Sequence, residues 1–372
     1  MARKEKKIII RTDSSTEIGS GHVMRCLTLA EILKENNAQV VFLCREYFND
    51  FTGYIERKGF SVIKLTSISR WPEGPGGIVF PINWQNYDWE WDAKISQNIL
   101  SRDFKGFDWL IVDHYGLDWR WETAMRSYVN NIMVIDDLAN RNHDCDLLLD
   151  QNFQKNLNRR YDSLVSSHCK TFLGPQYALL RLEILKAKDK VRERDGKIHH
   201  ILIFMGGGDP TNETEKALKA IQLINHPEIS VDVVLGGLFK NKEKIRKLCS
   251  AIPNCVCYCQ VENMAELMLK ADLAIGSSGT TSWERCYLGL PSIILVIADN
   301  QKDIAIALEE EGAVWNLGWC DQVTEEVLAR TLENVLLKSE EVKKVGQNAF
   351  RIMGGPMRLK DGMPVVQEIL GM

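Results

Sequence analysis

The run Arg11-Thr12-Asp13-Ser14-Ser15-Thr16-Glu17-Ile18-Gly19-Ser20-Gly21-His22-Val23-Met24-Arg25 decides how the first half of this chain is read. Before it stands a strand-like apolar stretch, Lys7 to Ile10. After it Val23, Leu27, Ala30 and Leu33 recur at helical spacing, so the glycines fall on a strand-to-helix turn. His22 then opens a helix, where the positive end of the helix dipole disfavours a second positive charge and keeps the imidazole neutral, able to accept a proton. Two glycines and a histidine by themselves equally describe a tight turn next to a solvated residue. The polar groups of Asp13, Ser14, Ser15 and Glu17 exceed what such a turn needs and make His22 a candidate general base.

Outward from this turn, strand and helix alternate. Strand Lys7 to Thr12 leads to helix His22 to Glu35, strand Gln39 to Cys44, a helix around Phe51 to Lys58 and strand Phe60 to Leu65. The pattern resumes with a helix around Ala93 to Ser101, strand Trp109 to Asp113, helix Asp118 to Val129, strand Ile132 to Ile135 and the apolar run Leu147 to Leu149. Such alternation predicts a parallel sheet covered by helices on both faces. Between the two blocks, residues 66–91 carry Trp71, Trp84, Trp89 and Trp91 among prolines and glycines, a long loop that reads either as a lid or sugar platform or as an insertion packed on the surface.

A charge-dense stretch from Leu182 to Lys197 reads as a linker, after which the alternation restarts. Strand His200 to Met205 runs into Gly206-Gly207-Gly208-Asp209, and later Asp272 to Ile275 runs into Gly276-Ser277-Ser278-Gly279-Thr280-Thr281, with a helix beginning near Thr280. The predicted domains are 1–182 and 198–372, each doubly wound, with ligands expected beyond the carboxyl ends of the strands. Backbone NH groups and hydroxyls of Ser277 to Thr281 at a helix start suit a diphosphate without a metal, Gly206 and Gly207 offer the same, and Glu284 is placed to accept ribose hydroxyls. The alternative for either turn is close packing against a neighbouring strand. Neither a full dinucleotide fingerprint nor a Walker lysine is present.

Composition narrows the function. The chain has 372 residues, 45% hydrophobic and 26% charged, which is ordinary for a soluble two-domain protein. A net charge of -4 and pI near 6.0 argue against a general nucleic-acid binder. The charged Met1 to Lys7 leads into only three isoleucines before Arg11, too short for a signal peptide or membrane span, so the expected location is cytoplasmic, with free thiols at the ten cysteines. Cys255, Cys257 and Cys259 alternate as on one face of a strand and lack a second ligand pair for zinc. Asp144-Cys145-Asp146 fits a metal-binding D-x-D formally, but it precedes Leu147-Leu148-Leu149 and so lies at the start of a strand, opposite the expected crevice.

Six motifs, in order, resemble those of one family. They are Arg11 to Arg25, Asp113-His114-Tyr115-Gly116, the pair Asp136-Asp137, Gly174 to Arg181, Met205 to Asp209 and Ser277 to Glu284. The chain is similar over roughly residues 7–312 to the UDP-2,4-diacetamido-2,4,6-trideoxy-beta-L-altropyranose hydrolases of pseudaminic acid biosynthesis, relatives of the MurG-like glycosyltransferases. The resemblance implies a GT-B fold, two Rossmann-like domains with the active site in a cleft, and no metal or other cofactor. It implies His22 as the base that activates water, and sugar contacts from Tyr115 and Asn300; Gly21 and Arg181 are further candidate sugar contacts, and Asp13 is expected to orient the imidazole or the sugar, ahead of Asp113 and His114, which could simply cap the turn after their strand. The nucleotide would rest on Gly206, Gly207, Ser277, Ser278, Gly279, Thr280 and Glu284. The Trp-rich insertion and the helical tail after about Thr324 depart from shorter members. A glycosyltransferase using a UDP-sugar donor, or a sugar-nucleotide binding protein without catalysis, are the competing readings. A membrane-facing patch suited to lipid acceptors is absent from the sequence.

Overall fold

Three consecutive isoleucines, Ile8 to Ile10, leave a strand no polar face for water, so it must be covered on both sides. The computed structural model describes residues 5–15, 18–47, 50–65, 84, 87–102, 106–154, 157–237, 239–354 and 363–371. In it these isoleucines form the middle of β1 (Lys7–Thr12) and are fully buried, each contributing about 1.5–3 kcal/mol. The first unit continues with α1 (Gly21–Glu35), β2 (Gln39–Arg45), α2 (Thr52–Arg57), β3 (Ser61–Leu65), α3 (Trp89–Arg102), β4 (Phe107–Asp113), α4 (Trp119–Met125), β5 (Val129–Ile135), β6 (Leu147–Asp150) and β7 (Lys170–Leu173). Its seven strands are parallel in the order β3-β2-β1-β4-β5-β6-β7.

The second unit begins with α5 (Leu182–Ala187) and β8 (His200–Phe204), followed by α6 (Glu213–Ile224), β9 (Ser230–Leu235), α7 (Lys242–Ser250), β10 (Cys255–Cys259), α8 (Met264–Lys270), β11 (Leu273–Ser277) and α9 (Thr281–Tyr287). β12 (Ser292–Val296), α10 (Lys302–Glu310), β13 (Trp315–Trp319), α11 (Glu325–Leu336) and α12 (Ser339–Ile352) complete it. Its sheet is also parallel, in the order β10-β9-β8-β11-β12-β13. In each sheet the chain builds outward on one side, then returns to the other. The order therefore reverses between β1 and β4 and between β8 and β11, and the carboxyl ends of those pairs are the switch points where doubly wound sheets hold ligands.

The units are Met1–Gln151 with Asn156–Leu179 and Gly362–Met372, and Asn152–Lys155 with Leu180–Asp361. This division departs from the predicted boundaries in three places, the first being the short piece Asn152–Lys155, which groups with the second unit. The charged stretch after Leu182 belongs to the second unit because Arg194, which is buried, donates to the carbonyls of Met268, Ala271 and Leu288, at or just past the ends of α8 and α9, where carbonyls lack helical partners. The terminal helix α13 (Pro364–Leu370) belongs to the first unit, where it buries Val365, Val366 and Ile369 and Glu368 pairs with Lys170. Of the Trp-rich insertion, only Trp84 and residues 87–91 fall among the described residues.

Candidate functional site

The switch point of the first unit is formed by the loop after β1 and the turn after β4. Gly19, with φ +79°, lets the first loop fold back, its NH donating to the Ser15 carbonyl at 2.9 Å, while Thr16 and Glu17 lie outside the described residues. A Cβ at Gly21 would meet nothing within 4 Å, so packing does not demand glycine there. His22 follows in the first turn of α1, 7% exposed, its Nδ1 2.6 Å from Asp113 Oδ1 at the end of β4.

Asp113 is itself gripped by Arg25, one turn along α1 from His22, whose Nε and Nη2 each donate at 2.6 Å; Arg25 Nη1 also donates to Asp137 at 2.8 Å. Burial works to raise the Asp113 pKa, but Arg25 and then His22 outweigh it and hold the carboxyl well below its usual range. Because Asp113 is ionised, it accepts a hydrogen bond from His22 Nδ1, and the ring's other nitrogen, Nε2, takes no part in that pair. Among the described residues no hydrogen bond involves that Nε2.

Asp13 plays a different part from the one expected. It is 1% exposed, and both oxygens are used inside the fold by Arg11, by the Arg45 NH at 2.7 Å and by His114 Nε2 at 3.1 Å. Burial opposes ionisation here too, but Arg11 outweighs it and keeps the carboxyl low. Asp113, not Asp13, orients the imidazole, because β4 lies beside β1 in the sheet and ends at the same level, Thr12 against Asp113. His114 is held neutral by burial; its Nδ1 accepts from the Gly116 NH at 3.0 Å, so its Nε2–H donates to Asp13. Tyr115, half-buried, stands edge-on to His22 with ring centroids 4.4 Å apart, and Trp84 of the insertion stands edge-on to Tyr115 at 6.0 Å and to His114 at 4.9 Å.

The second unit's switch point uses backbone where the first uses charged side chains. Gly206 (φ +98°) lies next to Ser277, while the Gly207 carbonyl would be 2.2 Å from a Cβ on Gly236, so this glycine turn does pack closely on its neighbour. The start of α6 is closed to an anion, because the Asp209 carboxylate accepts from the NH groups of Glu213 and Thr214 at 2.8 and 2.9 Å. The start of α9 has no side-chain cap. Ser277 and Ser278 are buried, with the Ser278 hydroxyl donating to the Gln301 carbonyl at 3.2 Å, whereas Gly279, Thr280 and Thr281 are partly exposed.

Glu284 is buried and accepts from Arg181 Nε and Nη2 at 2.7 and 2.6 Å, so two residues predicted for separate roles form one bidentate pair. Asn300 is exposed, in the turn after β12 at the same end of the sheet. Asp144 and Asp146 both pair with Arg126 at the start of β6. All ten cysteines are free, and Cys255, Cys257 and Cys259 are only partly buried on the edge strand β10. No helix among the described residues is long and apolar enough to cross a membrane.

Sequence reasoning left Arg25 and Asp137 without a role and ranked Asp113 behind Asp13. Arg25 was detectable, since residues three apart share a helix face. The Asp113 contact spans 91 positions and has no local signal.

Residues 184–353 match the glycosyltransferase family 28 C-terminal domain. The chain is 30% identical over 308 residues to protein MJ1062 of Methanocaldococcus jannaschii, covering 80% of this chain but 57% of that relative's length. It is 27% identical over 307 residues to the UDP-2,4-diacetamido-2,4,6-trideoxy-beta-L-altropyranose hydrolase of Campylobacter jejuni subsp. jejuni serotype O:2, covering 82% of this chain and 97% of that one. In fold it is similar to MurG of Acinetobacter baumannii, with a TM-score of 0.65 at 16% identity over 99% of this chain and 100% of the other. The fold is of the GT-B kind, and the domain match falls within the second unit.

Proposed function

We propose that the chain, which has a GT-B fold, is a UDP-sugar hydrolase: it cleaves a UDP-linked 2,4-diacetamido-2,4,6-trideoxy sugar at C1 with inversion, releasing UDP and the free sugar for nonulosonic (pseudaminic) acid synthesis. The observation that supports this most is the His22–Asp113 pair, in which Nδ1 is engaged and Nε2 takes no hydrogen bond among the described residues, at a sheet switch point. Water gives a proton to Nε2 as its oxygen bonds C1 from the face opposite UDP. The C1–O bond breaks with its electron pair going to the diphosphate, and Asp113 stabilises the imidazolium that forms. NH groups of the Gly279–Thr281 turn meet the charge on the departing diphosphate, and Tyr115 contacts the sugar. A carboxylate offers about four lone-pair sites, so Glu284 can accept ribose hydroxyls while holding Arg181.

The test is incubation with the UDP-sugar in water enriched in heavy oxygen, with no acceptor alcohol. The expected result is UDP and free sugar in equal amounts, with the label in the sugar. Release that begins only when an acceptor is added would instead identify a glycosyltransferase. Binding of the UDP-sugar without release would identify a binding protein.

A further inference from the structure

Arg285 is buried under the Gly279–Thr281 turn, at 3% exposure, and uses its charge in a way no other residue of that turn can. Helical side chains lean toward the N-terminus, so from the second half of α9 it reaches back beneath the turn. There Nη2 donates to the Ser277 carbonyl at 2.7 Å and to the Ser282 hydroxyl at 3.0 Å, and Nη1 to the Thr281 hydroxyl at 3.4 Å. Gly276 makes the room: a Cβ there would lie 2.7 Å from both Arg285 Nη1 and the Phe204 carbonyl.

Among the described residues Arg285 stands without a paired counter-ion. Its Nε has no partner among them, and the adjacent Glu284 is turned to Arg181. Two buried arginines of the first unit differ, since Arg11 meets Asp13 and Asp92 and Arg25 meets Asp113 and Asp137. An unpaired buried guanidinium is costly, and burial pushes the Arg285 pKa down to about 10. Resting on the nucleotide reading above, we infer that Arg285 is a positioning residue whose charge, acting through the Gly279–Thr281 turn, awaits the diphosphate as its counter-ion. It touches no ligand atom itself. A nucleoside without phosphate gains nothing from it, so Arg285 makes the site selective for the charged end of the nucleotide.

The test is titration of uridine, UMP and UDP into the whole protein, wild type, Arg285→Gln and Arg285→Lys. Gln retains a donor for the Ser277 carbonyl without the charge, and Lys keeps the charge. A unit charge about 10 Å away at an effective dielectric near 20 predicts a loss of roughly ten-fold in UDP affinity for Arg285→Gln, a smaller loss for UMP and none for uridine. Arg285→Lys is expected to stay within about three-fold of wild type for all three, the charge being kept. Thermal melts confirm folding, and Arg285→Met replaces the Gln variant if that one does not fold. Equal losses for uridine and UDP would overturn the inference in favour of a packing role, as would unchanged UDP affinity in Arg285→Gln. A wild type that binds no UDP would refute the nucleotide reading itself, a distinct result.

Discussion

The two switch points share a topology and differ in what the chain spends there. Beyond β1 and β4 lie Asp13, His22, Arg25, Asp113 and His114, ionisable side chains locked to one another at low exposure. Beyond β8 and β11 lie glycines, serines and threonines, with a single arginine beneath. On the proposed reading the first arrangement directs a proton to His22 Nε2, the one ring nitrogen of the group without a hydrogen bond among the described residues. On the same reading the second is where negative charge would rest, because backbone NH groups without a side-chain cap, with Arg285 beneath them, favour an anion. One parallel sheet with a switch point is thus a frame on which either chemistry can be mounted, and the loops decide which.

The comparison breaks if proton chemistry and anion binding do not separate. His22→Asn is expected to lower turnover by roughly 10²–10⁴-fold, the usual contribution of a general base, and to leave UDP affinity unchanged. Asp113→Asn is expected to approach the same loss through a misplaced tautomer, while also destabilising the fold by about 3–5 kcal/mol because Arg25 loses a buried partner. Steady-state rates of UDP release beside calorimetric UDP titrations supply both readings. Near-normal turnover in His22→Asn would remove it from the base role.

On the anion side the expected effects are smaller. Glu284→Gln should weaken UDP by about 1.5–3 kcal/mol, the range for hydrogen bonds to a charged group. The Arg181 pair offers a competing account, in which Glu284 matters only by holding Arg181 in place. A double-mutant cycle with Arg181→Met separates them. If Glu284 contacts the ribose, its substitution still costs most of that energy when Arg181 is already Met; if it acts through Arg181, the second substitution costs nothing more.

Much of this contrast was legible before any coordinates. The strands that end at the switch points, β1, β4, β8 and β11, are continuous apolar runs, and glycine-rich or polar turns after β1, β8 and β11 announce the loops. Two edge strands were missed for physical reasons. β7 is four residues, half of them exposed, and β13 reads Trp-Asn-Leu-Gly-Trp, with Gly318 at φ +81° breaking any alternation. The pairing of His22 with Asp113 depends on β1 and β4 being neighbours, which no local pattern encodes; proximity in sequence favoured Asp13 instead. Nor could the chain order show that Asp209 fills the start of α6 while the start of α9 stays open.

The smallest expected effect concerns stability rather than rate, and it sharpens the difference between charged and uncharged construction. His143, before β6 in the first unit, has Nδ1 2.7 Å from Glu122 Oε1 with both side chains fully buried, and Nε2 faces Asp136 Oδ2 at 3.8 Å. Burial works against its charge, but Glu122 and then Asp136 prevail, and its pKa is pushed up to about 9. The unfolded chain has the ordinary value of about 6.5, so the folded state binds this proton more tightly. The resulting stabilisation is fully present below about pH 6.5 and is lost as pH rises through about 9. Between pH 7 and 10 the melting temperature of the wild type should therefore fall by a few degrees more than that of His143→Gln, in which this proton is missing. Lysines and thiols titrate over the same range in both proteins, so the difference in slope is the reading. Parallel slopes would show that His143 is not the charge on which the first unit leans.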